Sequence, residues 1–253
     1  MNYLFLNLRL ARWDGKFEKS SRWLNTGPVE IGERESMMLR PIVMMTALAL
    51  AATSNAQPAT PDQLQRLMAG NARYLSGQST HLNQDHARRA EVAKGQKPFA
   101  MVLSCADSRV PPEILFDQGL GDLFVVRVAG NIADSNALGS LEYGAQVLGA
   151  RFLMVLGHEY CGAVDAALKG GRAGGNIDSV LDAIAPAAGR AKADPAKTDL
   201  LDRAMVENVR EVLMAISKRS PALAGMAAKG ELKIVGARYD LDSGAVTPVT
   251  AGK

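Results

Sequence analysis

The sequence is poor in the side chains that metal sites and nucleophilic catalysis use most often. Its 253 residues include only two cysteines, Cys105 and Cys161, and three histidines, His81, His86 and His158. Chemistry that depends on a thiol or an imidazole must therefore use these five side chains.

A large excess of charge of one sign is also missing. The formal net charge is +3, from 29 basic and 26 acidic residues, and no basic stripe with interleaved aromatic residues is present. Such a stripe is typical of nucleic-acid binding, so we expect no nucleic-acid partner. The composition, 47% hydrophobic and 22% charged, excludes disordered and fibrous proteins. Four glycines between 170 and 175 lack the spacing of either phosphate-binding motif, which argues against nucleotide binding.

The uncharged run at 42–52 has eleven residues, whereas a membrane-spanning helix needs roughly 20. It follows Arg40, and the small residues Ser54 and Ala56 come after it, as in a secretory signal. We therefore predict a non-structural extension at 1–36, a signal peptide at 37–56 and one domain at 57–253. The mature domain would be periplasmic or otherwise exported, with no membrane contact. A buried core helix is the alternative for the run.

Short apolar runs alternate with helical patterns along the rest of the chain. The apolar runs lie at 99–103, 123–128 and 152–156, and their lack of polar alternation is typical of strands covered on both faces. The helical patterns lie at 61–78, 137–148, 177–193 and 200–217. A final pair of strands, 232–239 and 245–249, is predicted to form a hairpin. The sequence thus predicts an α/β fold with a mainly parallel sheet of four to five strands, flanked by helices and preceded by an amino-terminal helical arm.

The few cysteines and histidines cluster after predicted strands. Cys105 follows the run 99–103 by two residues, His158 follows the run 152–156 by two residues, and Cys161 lies three residues beyond His158. Since ligands bind beyond the carboxyl ends of parallel strands, we expect these side chains to meet at one rim. Two thiolates and one imidazole are a ligand set of catalytic zinc sites that keep a fourth position open.

The residues alone leave two other interpretations open. Two cysteines in an exported protein often form a disulfide, here Cys105–Cys161. A closed structural zinc site would need a fourth ligand, for which Asp107 is the nearby candidate.

Two segments resemble the β-class carbonic anhydrases. They are Ser-Cys-Ala-Asp-Ser-Arg-Val-Pro-Pro-Glu at 104–113 and Gly-His-Glu-Tyr-Cys-Gly-Ala at 157–163. The resemblance continues through 121–131 and 140–143 and covers roughly 62–249. A Cys-x-Asp-x-Arg and a His-x-x-Cys motif at this separation form a highly specific pair.

The resemblance implies a lyase that reversibly hydrates CO2 to bicarbonate and a proton, through attack of a zinc-bound hydroxide. It implies one Zn²⁺ per chain, held by Cys105, His158 and Cys161, and a catalytic pair, Asp107 and Arg109. A guanidinium can hold a carboxylate through two parallel hydrogen bonds, which would keep Asp107 off the zinc. In a closed state Asp107 would be the fourth ligand.

A small substrate pocket, often completed by a neighbouring subunit, is also implied by the resemblance. Its members would be Gln96, Phe124, Ala129, Tyr143 and the backbone N–H of Gly162. We therefore expect a homodimer or homotetramer, with CO2 and bicarbonate as small-molecule partners. Glu159 and Tyr160, between the two later ligands, receive no role. The alternatives are a zinc-dependent hydrolase of CS2 or COS on the same fold, and a non-catalytic exported zinc-binding protein.

Overall fold

A computed structural model describes residues 62–194 and 199–250. The predicted extension at 1–36 and signal peptide at 37–56 lie outside the described residues, so both stay predictions. None of the described helices combines the length and hydrophobicity that a membrane span requires.

Five strands form one mixed sheet. They are β1 (Ala100–Ser104), β2 (Leu123–Arg127), β3 (Phe152–His158), β4 (Lys233–Tyr239) and β5 (Val246–Val249). Their spatial order is β2-β1-β3-β4-β5. The first four are parallel, and β5 pairs antiparallel with β4. The predicted α/β class, the mainly parallel sheet and the final hairpin are confirmed.

Eight α-helices and a 3₁₀ turn, Ala129–Asn131, connect and cover the strands in the described residues. The helices are α1 (Gln63–Leu75), α2 (His86–Val92), α3 (Pro112–Leu115), α4 (Ser135–Gln146), α5 (Gly162–Lys169), α6 (Ile177–Ala193), α7 (Leu200–Arg219) and α8 (Pro221–Ala228). Sequence periodicity predicts α1, α4, α6 and α7. It does not reveal the other four, because a helix of eight residues or fewer contains too few turns to repeat an apolar pattern.

Both faces of the central strands are buried. All five residues of β1 are buried, and the first four alternate between two apolar clusters. Met101 and Leu103 pack with residues of α4 and α7. Ala100 and Val102 pack on the other face, in a cluster that includes Leu67 of α1. This double coverage is the physical reason for the uninterrupted apolar runs in the sequence.

Glycines allow α7 to approach the sheet closely. A Cβ on Gly157 of β3 would lie 2.6 Å from a methyl of Val209 on α7, and one on Gly236 of β4 would lie 2.7 Å from its other methyl. A side chain at either position would push α7 away from the sheet. The close packing also brings the polar residue Asn208 of α7 to the 3₁₀ turn.

The predicted amino-terminal arm is held by its own chain through Asn71 of α1. The Asn71 amide donates to the carbonyls of Leu115 (3.1 Å) and Gly244 (3.0 Å), and its oxygen accepts from the N–H of Val246 (3.0 Å). One buried side chain thus joins α1 to the end of α3 and the start of β5.

Replacing Asn71 with leucine should destabilise the fold. Asn71→Leu leaves two carbonyls and one N–H buried without their partner, and we expect a loss of about 3 kcal/mol in the free energy of unfolding. Urea denaturation followed by circular dichroism measures it. Gln65→Leu on the exposed side of the same helix is the control, and equal midpoints for the two variants would contradict this role of Asn71.

Candidate metal centre

The site lies where the connections of the sheet diverge. The next strand in the chain, β2, lies beside β1 at one edge of the sheet, and the strand after it, β3, lies on the opposite side of β1. The carboxyl ends of β1 and β3 therefore flank a topological switch point, the usual place for ligands in an α/β sheet. Cys105 directly follows β1, His158 is the last residue of β3, and Cys161 directly precedes α5.

These three residues, which we call the metal centre, converge as the sequence predicts. One ligand atom of each lies within 4.8 Å of the ligand atoms of the other two, and all three residues are buried. Both cysteines of the chain belong to the described part, and both are free thiols. The structure therefore does not contain the disulfide that the sequence left open.

The chemistry of His158 fits a metal ligand. Its Nδ1 lies 2.7 Å from the carbonyl oxygen of Glu159, and because a carbonyl only accepts, Nδ1 carries the proton. The lone pair is then on Nε2, which is buried and has no hydrogen-bond partner among the described residues. A buried polar atom without a partner is unfavourable, and a zinc ion bound to Nε2 and two thiolates would remove that cost.

The two thiols are electrostatically unequal. The hydrogen bond with Cys161 is the largest cause that lowers the pKa of Cys105, to about 4, and the backbone N–H groups of Asp107 and Gly130 lower it further. The same hydrogen bond and burial raise the pKa of Cys161. Cys105 is thus the thiol of the pair that ionises first, and the thiolate is the form that binds metal.

Asp107 lies beside the metal centre and is bound by Arg109. The guanidinium of Arg109 donates to both carboxylate oxygens, at 2.9 and 2.8 Å, and its backbone N–H adds a third hydrogen bond at 2.9 Å. These bonds lower the pKa of Asp107 to about 2. Oδ2 of Asp107 is 3.9 Å from Nε2 of His158. In this arrangement Asp107 is an ionised carboxylate engaged by Arg109 and not a member of the ligand cluster.

Four hydrogen bonds around Cys105 have no clear signal in the sequence. Arg127, at the end of β2, donates to the carbonyl oxygens of Cys105 and Asp107. The N–H of Gly130 donates to the sulfur of Cys105 at 3.3 Å, and the amide of Asn208 donates to the carbonyl of Gly130 at 2.8 Å. Asn208 lies on the buried face of α7, and a lone polar residue there is the one hint that the sequence offers.

Gly130 must be glycine. Its φ is 66°, in the left-handed region, and a Cβ there would lie 2.5 Å from the terminal methyl of Ile184. The glycine therefore lets the 3₁₀ turn present its N–H to Cys105.

The predicted substrate residues fall into two groups. Ala129 adjoins Gly130, and Gly162 is the first residue of α5, so both lie next to the metal centre. Gln96 precedes β1, at the opposite end of a strand that is roughly 17 Å long. Phe124 pairs with Met101, three residues before the end of β1, and its ring centroid is 6.3 Å from that of Tyr143. The structure does not bring Gln96, Phe124 or Tyr143 to the metal centre of the same chain.

Comparisons with known proteins agree with this geometry. A family model described as carbonic anhydrase matches residues 100–246. Carbonic anhydrase 2 of Mycobacterium tuberculosis is 44% identical over 183 residues, which cover 70% of this chain and 87% of that protein. The β-carbonic anhydrase CafA of Aspergillus fumigatus superimposes with a TM-score of 0.60 at 27% identity, over 76% of this chain and 93% of that one. Structures described as tetrameric β-carbonic anhydrases of Sordaria macrospora give 0.59 at 26% identity, over 72% and 92%.

Metal and thiol content test the centre directly. We expect one zinc per chain in the purified protein, and two free thiols per chain after denaturation in a chelator. Cys105→Ser removes one of three ligands, so stoichiometric zinc should be lost. Elemental analysis and thiol titration measure both quantities. A metal-free protein with its two sulfurs oxidised to each other would contradict the assignment.

Proposed function

The chain belongs to the β-class carbonic anhydrases, and we propose on this basis that it hydrates CO2 reversibly to bicarbonate and a proton, with a zinc ion held by Cys105, His158 and Cys161. The observation that carries the proposal is the buried convergence of these three ligands beside a carboxylate that Arg109 holds. Exposed clusters of polar residues are common without a metal, whereas two thiols and an orphaned imidazole nitrogen in the core have no other evident use.

Zinc, when bound, is a Lewis acid that makes hydroxide available from water near neutral pH. The chain's own residues then orient the reactants. Asp107 is ionised, so it can accept a hydrogen bond from the O–H of the attacking oxygen and turn a lone pair toward the carbon of CO2. Arg109 keeps both carboxylate oxygens engaged and thereby keeps Asp107 from acting as a ligand.

A hydrogen-bond donor is needed to stabilise the negative charge that develops on the substrate oxygens. Gly162 is the first residue of α5, so its N–H has no partner within the helix. A helix N-terminus favours an anion, and the bicarbonate product is one. As the new C–O bond forms, one C=O π bond breaks and its electron pair moves to oxygen, and the proton lost by water leaves to the solvent.

Gln96, Phe124 and Tyr143 are proposed to serve the site of a neighbouring subunit. They lie toward the amino end of the strands, Phe124 is on the edge strand β2, and Tyr143 is half exposed at 49%. Val147, one turn further along, is 65% exposed. A homodimer or homotetramer would cover these apolar side chains, and the related Sordaria enzymes are described as tetramers. Export of the mature domain stays a proposal that depends on the run at 42–52 alone.

Substitution of Asp107 should separate metal binding from turnover. Asp107→Asn keeps the size of the side chain but loses the charge and one acceptor, so zinc content should stay at one per chain while CO2 hydration falls about 100-fold. Stopped-flow hydration with a pH indicator measures the rate.

Asp165→Asn is the matched control, since Asp165 is a carboxylate on α5 that contacts Lys169 at the surface. Unchanged turnover in Asp107→Asn would refute the orienting role. A wild-type chain that turns over COS or CS2 faster than CO2 would favour the alternative hydrolase.

The rate should rise with pH above about 7, because the reaction needs a water that has lost its proton. Asp107 does not cause this rise. Its pKa is lowered to about 2, so the carboxylate is charged at every pH above about 4 and its contribution is constant from pH 6 to 9. Stopped-flow rates across that range test the expectation, and a flat profile would argue against it.

The assembly should have an even number of chains. We expect light scattering after gel filtration to give the mass of a dimer or tetramer, and Tyr143→Asp to weaken the assembly and reduce turnover without loss of zinc, because a charge would then be buried at the contact. Glu91→Asp, a conservative exposed change on α2, should alter neither. A fully active monomer would contradict the proposal.

A further inference from the structure

Glu159 lies between two metal ligands, in the segment 159–161 that we call the ligand turn. The sequence gives it no role, yet in the structure its backbone N–H, its carbonyl and its carboxylate are all engaged. The N–H donates to the carbonyl of Tyr239 at 3.0 Å, and the carbonyl accepts from Nδ1 of His158 at 2.7 Å. The peptide groups of Glu159 therefore connect the imidazole of a metal ligand to strand β4.

The carboxylate of Glu159 is held from two directions. Arg238 of β4, whose register partner on β3 is Gly157, donates to one oxygen, and the N–H of Leu241 donates to the other at 3.1 Å. The side chains of Glu159 and Arg238 are only 17% and 26% exposed, which reduces the screening of their ion pair by solvent. Arg238 is itself held by Asp202 of α7, at 2.7 Å.

The ligand turn would not keep this shape by default. Tyr160 has φ of 48°, in the left-handed region, although it is neither glycine nor asparagine, and such a residue costs about 1 kcal/mol or more. The hydrogen bond between His158 and the carbonyl of the next residue depends on the orientation of one peptide. Any relaxation at Tyr160 would rotate that peptide. Contacts with residues outside the ligand turn must therefore hold it.

We propose that Glu159 is a positioning residue for His158. Its carboxylate, bound by Arg238 and by the N–H of Leu241, fixes the peptide whose carbonyl accepts from Nδ1, and this sets the direction in which Nε2 points. Groups that orient a ligating histidine typically contribute 10–100-fold to metal affinity. The inference rests on the proposed function in that it takes Cys105, His158 and Cys161 as zinc ligands.

Zinc affinity, measured by competition with a chromophoric chelator, tests the proposal. Glu159→Ala should bind zinc about 10–100-fold more weakly than the wild type. Glu159→Gln keeps one of the two acceptor oxygens, so it can accept from Arg238 or from the N–H of Leu241 but not from both, and it should lose clearly less affinity than Glu159→Ala. Equal losses in the two variants would mean that the negative charge matters and not the orientation, and would overturn the proposal.

Asp202→Asn is the matched control. It removes a negative charge beside Arg238 but keeps an oxygen that can accept from Nε of Arg238, so zinc affinity should be unchanged. An equal loss in Asp202→Asn and Glu159→Ala would show a general electrostatic effect and overturn the proposal, as would a Glu159→Ala protein with wild-type affinity. Thermal unfolding of each variant shows that the comparison is made on folded protein.

A second readout does not depend on affinity or activity. In the cobalt-substituted protein the visible absorption bands of the metal report the geometry of its ligands. These bands should shift in Glu159→Ala but not in Asp202→Asn. Unchanged bands in both would overturn the proposal. Wild-type protein without zinc would refute the proposed function together with this inference, whereas zinc-replete wild type with unaffected variants would refute the inference alone.

Discussion

Three polar ligand atoms are buried within 4.8 Å of one another, and the structure around the site depends on how that burial is compensated. Two of the atoms belong to thiols that are hydrogen-bonded to each other, and the third is a nitrogen lone pair with no partner in the described part of the chain. A buried polar group left unsatisfied costs about 1–3 kcal/mol. One cation that binds all three atoms would remove this cost, which supports the proposal that the centre holds a metal.

The surrounding contacts restrict the ways in which this centre can relax. Arg127 holds two carbonyls of the loop that carries Cys105, and Asn208 holds the turn whose N–H contacts the sulfur. On the other side Arg238 binds the ligand turn through Glu159. These partners come from β2, α7 and β4, so two strands of the sheet and its longest covering helix contribute to the direction of the ligands. Rigid elements thus hold the loop and the turn that carry Cys105 and Cys161, and precise metal coordination requires such support.

The active chemistry and the proposed assembly occupy opposite ends of the same strands. The carboxyl ends of β1 and β3 carry the proposed metal ligands, whereas Gln96 and Phe124 lie toward the amino ends. A five-residue strand separates the two regions, so one chain cannot close its own substrate pocket with these residues. This separation gives a physical reason for the proposed homo-oligomer, in which activity would depend on contact between subunits.

The sequence by itself determines the features that are local. Continuous apolar runs identify the buried strands, and the spacings Cys105-x-Asp107-x-Arg109 and His158-x-x-Cys161 place each group at the end of a strand, where a short turn keeps it. The ion pair of Asp107 and Arg109 joins residues two positions apart and could be predicted for that reason.

Only the tertiary structure decides which distant side chains hold the ligands. Asn208 contacts a residue 78 positions away, and Arg238 contacts one 79 positions away. Neither leaves a periodic pattern, because each depends on how closely a helix or a neighbouring strand packs. The short helix α5 and the left-handed residues Gly130 and Tyr160 are likewise set by packing around the centre. The composition of a strand predicts whether it is buried. A contact between two strands, or between a strand and a helix, forms only when the sheet has assembled.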